Sequence, residues 1–177
     1  MQSPQITPRI LATTDFSSES ETAFFHALAA AVKRQARLTL LHTGPEERDS
    51  IPWDQFPGVR DTLTTWRLLP ADSPRSAVAE TLNVGVAKMT MRDSDPRQGI
   101  TDYLRRHPTD LLVMATEGRS GLARVFHPSV AERVSYLTRS HTLMLPKNGR
   151  TFIDRATGES QLRRVLCALN PVLDPNP

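Results

Sequence analysis

The sequence predicts an α/β protein with a five-stranded, mainly parallel sheet that is covered by helices on both faces. Three observations predict this class. Short apolar segments rich in β-branched residues alternate along the chain with segments that have the period of a helix. The run DLLVMAT at 110–116 is almost entirely apolar, as in a strand that is buried on both faces of a parallel sheet. Polar segments with Pro, Gly, Ser or Asp separate these elements.

The N-terminal part of the chain predicts a strand, a helix and a second strand. RILATT at 9–14 is a short apolar run that contains β-branched residues. In residues 18–35 apolar positions recur on one helical face, and Ser18 and Glu21 have the spacing of a capping box. RLTLLHT at 37–43 predicts the second strand.

The middle of the chain is expected to be irregular up to about Gly58, because several prolines interrupt any regular period. Two short helices are predicted near 58–68 and 74–82. The segment VGVAKMTM at 84–91 alternates between apolar and other residues, which predicts the third strand.

The fourth strand, at 110–116, follows a predicted helix. Asp95 and Pro96 have the types expected at a helix N-cap and first turn, and the helix is expected to end at His107, before Pro108.

A last helix and a last strand complete the predicted sheet. The helix covers 129–138, where Ser129 and Glu132 again have capping-box spacing. The strand covers 141–145 and is stopped by Pro146.

Ligands of open parallel sheets bind at the carboxyl ends of the strands, near the point where the strand order reverses. The loops after Thr14 and after Thr116 are therefore the two candidate ligand loops.

The composition argues against several classes of protein. No apolar run approaches the roughly 18–20 residues of a membrane helix, and the N-terminus lacks a secretory signal. Because Cys167 is the single cysteine, we expect no internal disulfide and a cytoplasmic location. Cys167 lies between the apolar residues Leu166 and Ala168, so we expect it to be buried. The net charge of +3 arises from 22 basic and 19 acidic residues that are interleaved, so we predict neither nucleic acid nor membrane as a partner.

Motifs for catalysis or metal binding are not found in the sequence. The five histidines form neither an H-x3-H pair nor an HExxH motif, and neither GxSxG nor a Rossmann or Walker glycine loop occurs. We therefore predict no catalytic residue and no metal site.

The composition changes after Lys147, where a polar segment follows. We interpret the chain as a domain at 1–147, a linker at 148–161 and the first strand of an incomplete second repeat at 162–177. The repeat hypothesis depends on RVLCALN at 164–170, which resembles RILATTD at 9–15, although any two buried strands could share such a pattern. An extra strand of this kind would join its own sheet, pair across a dimer or stay disordered.

The chain resembles the universal stress protein family over about residues 8–147. The resemblance is carried by TDFS at 14–17, by HALAAA in the first predicted helix, by LTLLH at 38–42 and, most specifically, by DLLVMATEGRSGLARVFHPSVAERV at 110–134. In the last segment the family has a strand, the pattern G-x2-G-x9-G-[ST] and then VAE. The resemblance implies an adenine nucleotide alpha hydrolase-like fold, a homodimer and a role in stress tolerance; some members bind ATP and some are tandem repeats.

The resemblance also implies which residues would hold a nucleotide. The ends of the first, second and fourth strands would supply Thr13, Thr14, Asp15, Thr43, Met114 and Ala115. The phosphate loop would supply Gly118, Ser129, Val130 and Ala131, with Glu117 and Pro128 at its edges.

This chain departs from the family pattern in the phosphate loop, where it has A-x2-G-x9-P-S. Ala115 adds a methyl group where glycine allows close approach, Pro128 has no N–H to donate, and Glu117 adds a negative charge near the phosphates. ATP binding stays open, because a helix beginning at Ser129 would still favour an anion at its N-terminus. Asp15 is likewise open between a contact to ribose or a nucleotide-bound metal and a role in the turn before the first helix.

Two functional alternatives follow from the residues and the resemblance. The first is a non-catalytic stress-response protein that acts as a dimeric sensor or interaction module with a degraded ATP-binding loop. The second is an ATP-binding universal stress protein that acts as a nucleotide-gated switch or slow ATPase.

Overall fold

The structure is a computed structural model that describes residues 7–44, 53–93, 95–116, 141–147 and 149–167. The predicted helix over 129–138 lies outside these ranges. The described elements, in chain order, are β1 (Arg9–Thr14), α1 (Ser18–Arg34), β2 (Arg37–Gly44), α2 (Val59–Thr65), α3 (Ala77–Leu82), β3 (Gly85–Arg92), α4 (Pro96–Arg106), β4 (Leu111–Thr116) and β5 (His141–Pro146).

The five strands form one parallel sheet in the order β3-β2-β1-β4-β5. The central strand is β1, where Ala12 pairs with Leu40 of β2 on one side and with Val113 of β4 on the other. The chain builds the sheet outward from β1 to β3 and then returns to the opposite side, so the strand order reverses beside β1. The predicted five-stranded parallel sheet is confirmed.

Alternate residues of the central strands face two separate cores. Ile10 and Val113 belong to the core under α1, whereas Leu11 and Leu112 pack with Ile100 of α4 on the other face. Both faces of β4 are therefore buried, which explains why its sequence is almost continuously apolar. The prediction that helices cover both faces is confirmed. No described helix has the length and apolar character needed to cross a bilayer.

Helix α1 has its N-cap one residue earlier than the capping-box spacing predicts. Ser17 has extended backbone angles, and its hydroxyl accepts a hydrogen bond from the Ser20 N–H at 3.2 Å. The predicted cap, Ser18, is instead the first residue of the helix. The difference arises because Asp15 accepts hydrogen bonds from Ser17 and so fixes the turn that places Ser17 at the cap.

The two short helices and the third strand of the middle region are confirmed, although both helices are shorter than predicted. Arg67 and Asn83 follow the helices with φ of 58° and 53°, in the left-handed region, which ends the helical conformation at these points. Proline and turn residues near Pro74 delay the start of α3 to Ala77.

Residues 149–161 pack against the domain, which the prediction of a polar linker did not anticipate. Ile153 is buried in the α1 core and forms an antiparallel bridge with Ser160. The Trp66 indole Nε1 donates to the Arg155 carbonyl at 2.9 Å. We refer to residues 149–161 as the C-terminal strap. Its largely polar composition concealed the two apolar residues, Phe152 and Ile153, that pack against the α1 core.

The described part of the predicted extra strand, residues 162–167, is exposed and belongs to no strand. Cys167 is exposed, so the expectation that it is buried is wrong. The reason is that the expectation assumed a buried strand, which this part of the segment does not form. The residues after 167 lie outside the described part of the chain, and the repeat hypothesis stays a prediction.

Candidate functional site

The candidate site lies at the carboxyl ends of β1, β2 and β4, beside the reversal of strand order. The structure places these predicted site residues there: Thr13, Thr14, Asp15, Thr43, Met114 and Ala115. The predicted phosphate loop lies outside the described residues: Glu117, Gly118, Pro128, Ser129, Val130 and Ala131. The structure therefore describes the half of the predicted site at the strand ends.

The side chains at the strand ends divide between the two faces of the sheet. Met114 packs in the α4 core, whereas Ala115 packs in the α1 core. Thr43 also contacts the α4 side, since its hydroxyl donates to the Pro96 carbonyl at 3.4 Å. The strand ends thus bring these residues to one edge of the sheet but not to one surface.

Thr14 is hydrogen-bonded within the protein by both its side chain and its carbonyl. Its hydroxyl accepts from the Phe16 N–H at 2.9 Å and lies 2.9 Å from the Ser20 hydroxyl. The Ser20 hydroxyl donates its hydrogen to the Ser17 carbonyl. We therefore assign the Thr14 hydroxyl as the donor in the contact between the two hydroxyl groups. The Thr14 carbonyl accepts from Nδ1 of His42 at 2.8 Å. Sequence reasoning missed Ser20 and His42 as partners of Thr14, although His42 ends the segment LTLLH that carries the family resemblance.

The two carboxylate oxygens of Asp15 have different surroundings. Oδ1 accepts from the Ser17 N–H at 3.0 Å and from the Ser17 hydroxyl. Oδ2 is buried and has no hydrogen-bond partner among the described residues. A buried acceptor without a partner is unfavourable, so a donor that reaches Oδ2 would stabilise the site. Asp15 therefore performs the turn role considered above and retains one oxygen for a further donor.

Four ring-bearing residues pack over the ends of β1 and β2, and sequence reasoning missed them as a group. We call Phe16, His42, Trp53 and Phe56 the aromatic cluster. The Phe16 ring centroid lies 4.6 Å from that of His42, 5.0 Å from that of Trp53 and 5.7 Å from that of Phe56. Phe16 has a φ of 63°, in the left-handed region that is unfavourable for a bulky residue. The packing of its ring holds the turn after Asp15 in this conformation.

The predicted residues at the strand ends are closed off from solvent. Their exposed fractions are Thr13 4%, Thr14 3%, Asp15 7%, Thr43 5%, Met114 2% and Ala115 6%. No cluster of three or more metal-ligating side chains occurs in the described ranges. The described half of the site is therefore packed and bonded largely to itself.

Comparisons with known proteins relate the chain to one family. The model of the universal stress protein family matches residues 7–146. No curated protein matches the chain in a sequence search.

Solved structures with a similar fold were also found. The universal stress protein UspA from Lactobacillus plantarum is 22% identical with a TM-score of 0.50, over 78% of this chain and 97% of that chain. A universal stress protein from Archaeoglobus fulgidus in complex with dAMP is 16% identical with a TM-score of 0.45, over 78% and 98%. A universal stress protein in complex with cAMP is 19% identical with a TM-score of 0.44, over 78% and 96%.

Proposed function

Because the chain belongs to the universal stress protein family, we propose that it is a non-catalytic stress-response member with reduced nucleotide binding. In this proposal it acts in the cytoplasm as a dimeric sensor or interaction module. The proposal depends on one observation: the polar groups at the strand ends already form hydrogen bonds within the protein. These groups are the Thr14 hydroxyl and carbonyl, Nδ1 of His42 and Oδ1 of Asp15.

The internal hydrogen bonds would compete with a nucleotide for the same polar groups. A ligand that used Thr14 or Oδ1 of Asp15 would first have to break bonds to Phe16 and Ser17, each worth about 0.5–1.5 kcal/mol. The buried state of Thr13 and Thr43 supports the same conclusion, since a ligand would have to displace their neighbours.

The sequence of the phosphate loop supports the proposal independently. Pro128 has no N–H for a phosphate oxygen, and Glu117 would repel the phosphates. Together the two halves of the site favour weak nucleotide binding.

One observation favours the alternative, a nucleotide-gated switch or slow ATPase. Oδ2 of Asp15 is a buried acceptor without a partner in the described part of the chain, and a ribose hydroxyl is a donor that would satisfy it. The alternative requires the strand ends to open so that ribose reaches Asp15.

Isothermal titration with ATP and Mg²⁺ separates the two functions. We expect the wild type to bind with a Kd weaker than about 10 µM, and a dissociation constant below this value would overturn the reduced-binding proposal. The double variant Ala115→Gly, Pro128→Gly restores the family glycines and should bind at least about tenfold more tightly, since it returns one N–H and removes one methyl group. Adding Asp15→Asn to the double variant tests whether the gain depends on the carboxylate.

A further inference from the structure

Strand β3 forms one edge of the sheet, and its residues are much more exposed than those of the other strands. Among the described strands it pairs only with β2. Six of its eight residues are exposed, including Met89 at 37%, whereas β1 is buried at every position after Arg9. An edge strand also presents a row of unpaired N–H and carbonyl groups. β3 is thus accessible along its edge and over much of its surface.

A groove of about 630 Å³ lies beside β3, between the strand and helices α2 and α3. Its volume is in the range of ordinary binding clefts. Four valines contribute its apolar lining: Val59, Val78, Val84 and Val86. The groove therefore offers apolar contacts directly next to the free backbone of a strand.

The charged residues that line the groove are mainly basic. Arg60, Arg75 and Lys88 line it, against the single acidic residue Asp61. Arg60 donates to the Ser73 carbonyl at 3.0 Å, and the Lys88 Nζ lies 5.1 Å from the ring centroid of Trp53. None of the three cations has an ion-pair partner within the described ranges. The groove attracts acidic groups.

We propose that β3 and this groove bind an extended acidic segment of a partner protein, which adds a sixth strand at the β3 edge. Side chains of an added strand alternate between its two sides. The side chains on the groove side of the segment are apolar and acidic in turn. The apolar ones contact the valines, and the acidic ones pair with Arg75 and Lys88, which line the same groove. A second copy of this chain is a poor occupant, because pairing two β3 strands would bring Lys88 and Arg92 close to the same residues of the other copy.

The proposed function includes an interaction module, and this site names the class of partner that the module would bind. The inference rests on the proposed function in this respect. Its test uses no nucleotide, so the docking site and the reduced nucleotide site can fail separately.

Fluorescence anisotropy with the labelled, end-blocked octapeptide Val-Thr-Glu-Thr-Val-Thr-Glu-Thr tests the proposal, because every second side chain, Val and Glu in turn, then faces the groove. We expect a Kd on the order of 100 µM or tighter. Replacing Glu by Lys in the peptide should weaken binding at least about tenfold, because the charges then repel. Two further peptides carry N-methyl groups, one on the odd-numbered and the other on the even-numbered backbone nitrogens. Both keep the charge of the parent peptide, but only one of them loses the N–H groups that face β3, and that peptide should lose binding.

Variants of the protein test the role of the basic residues in the groove. The double variant Arg75→Glu, Lys88→Glu should lose at least about tenfold in affinity, whereas Arg105→Glu on α4 should bind like the wild type. Thermal melts establish that each variant is folded. Equal binding of both N-methylated peptides, equal binding of the Lys peptide, or no binding at about 1 mM would each overturn the proposal. So would dimerisation of the wild type that the double variant abolishes, since a second copy would then occupy the edge.

Discussion

At the scale of single residues, the end of β1 contains residues that match a binding pattern but form hydrogen bonds within the protein. Thr14 and Asp15 match the family pattern, yet their hydrogen bonds run to Phe16, Ser17 and Ser20 of the same turn. The same atoms cannot serve a ligand without a loss in the stability of the turn. Matching residue types therefore indicate the family, while the internal bonds determine how much of the site stays available.

The N-cap of α1 gives a prediction at this scale. Ser17→Ala should lower the free energy of unfolding by about 1 kcal/mol, because the Ser20 N–H and Asp15 both lose a hydrogen bond. Ser18→Ala should change it by less than about 0.5 kcal/mol, since Ser18 is exposed and its hydroxyl donates only to the neighbouring Glu19 carboxylate. Urea denaturation of the two variants checks the difference. Equal losses, or a larger loss for Ser18→Ala, would place the cap at residue 18, as the sequence predicted.

At the scale of elements, the C-terminal strap is held by a few specific contacts with α1 and α2. The Phe152 N–H donates to Nε2 of His26 at 3.3 Å, and Nδ1 of His26 lies 2.8 Å from the Thr22 carbonyl. A carbonyl only accepts, so Nδ1 carries the proton and the ring is neutral in this arrangement. Arg155 adds a contact to Thr22 and lies 3.9 Å from Glu21. Protonation of Nε2 would break the bond to the strap.

The stability of the strap should therefore depend on pH. Burial lowers the pKa of His26 from its ordinary value of 6.5; the Thr22 carbonyl opposes this change and the charge of Arg155 reinforces it. Between the lowered pKa and 6.5 the unfolded chain binds more protons than the folded chain, so stability is full above 6.5 and falls as the pH decreases below it.

Urea denaturation at pH 7.5 and pH 5.5 measures this effect. We expect the wild type to lose about 0.5–1.5 kcal/mol more than His26→Gln between the two conditions, the range for one hydrogen bond. The control variant His141→Gln changes an exposed histidine and should behave like the wild type. If the free energy of unfolding of His26→Gln has the same pH dependence as that of the wild type, His26 is not the cause of the pH-dependent stability.

Gly158 provides a second prediction for the strap. It has a φ of 73°, and a Cβ atom at this position would collide with the Trp66 ring. Gly158→Ala should therefore detach the strap and raise the hydrogen-exchange rates of residues 152–161 at least about tenfold. Gly85→Ala is a matched control, because its Cβ would make an ordinary contact of 3.6 Å with Arg37. Unchanged exchange in Gly158→Ala would contradict this account of the docking.

At the scale of the whole molecule, the sequence predicted the sheet well because burial on both faces leaves a clear apolar pattern, as in β4. The packing of the strap was not predictable from composition, since it depends on Ile153 and on a tryptophan far away in the sequence. Within the site, the family pattern located Thr14 and Asp15. It could not show that their partners are Ser17 and Ser20, because those bonds depend on the geometry of one turn.

The dimer implied by the family resemblance is also a prediction at this scale, and we propose that it forms through β5. This strand is the sheet edge opposite β3, and its residue Met144 is half-buried and lies outside both described cores. Light scattering at about 100 µM should give a mass near twice 19.7 kDa. Met144→Lys should give the mass of a monomer, because it places a charge in the interface, and Met89→Lys on β3 should leave the dimer intact. A monomeric wild type would remove the dimer from the proposed function. If Met89→Lys alone dissociates the dimer, then β3 rather than β5 is the interface, and the edge assigned to an acidic partner is occupied by a second copy.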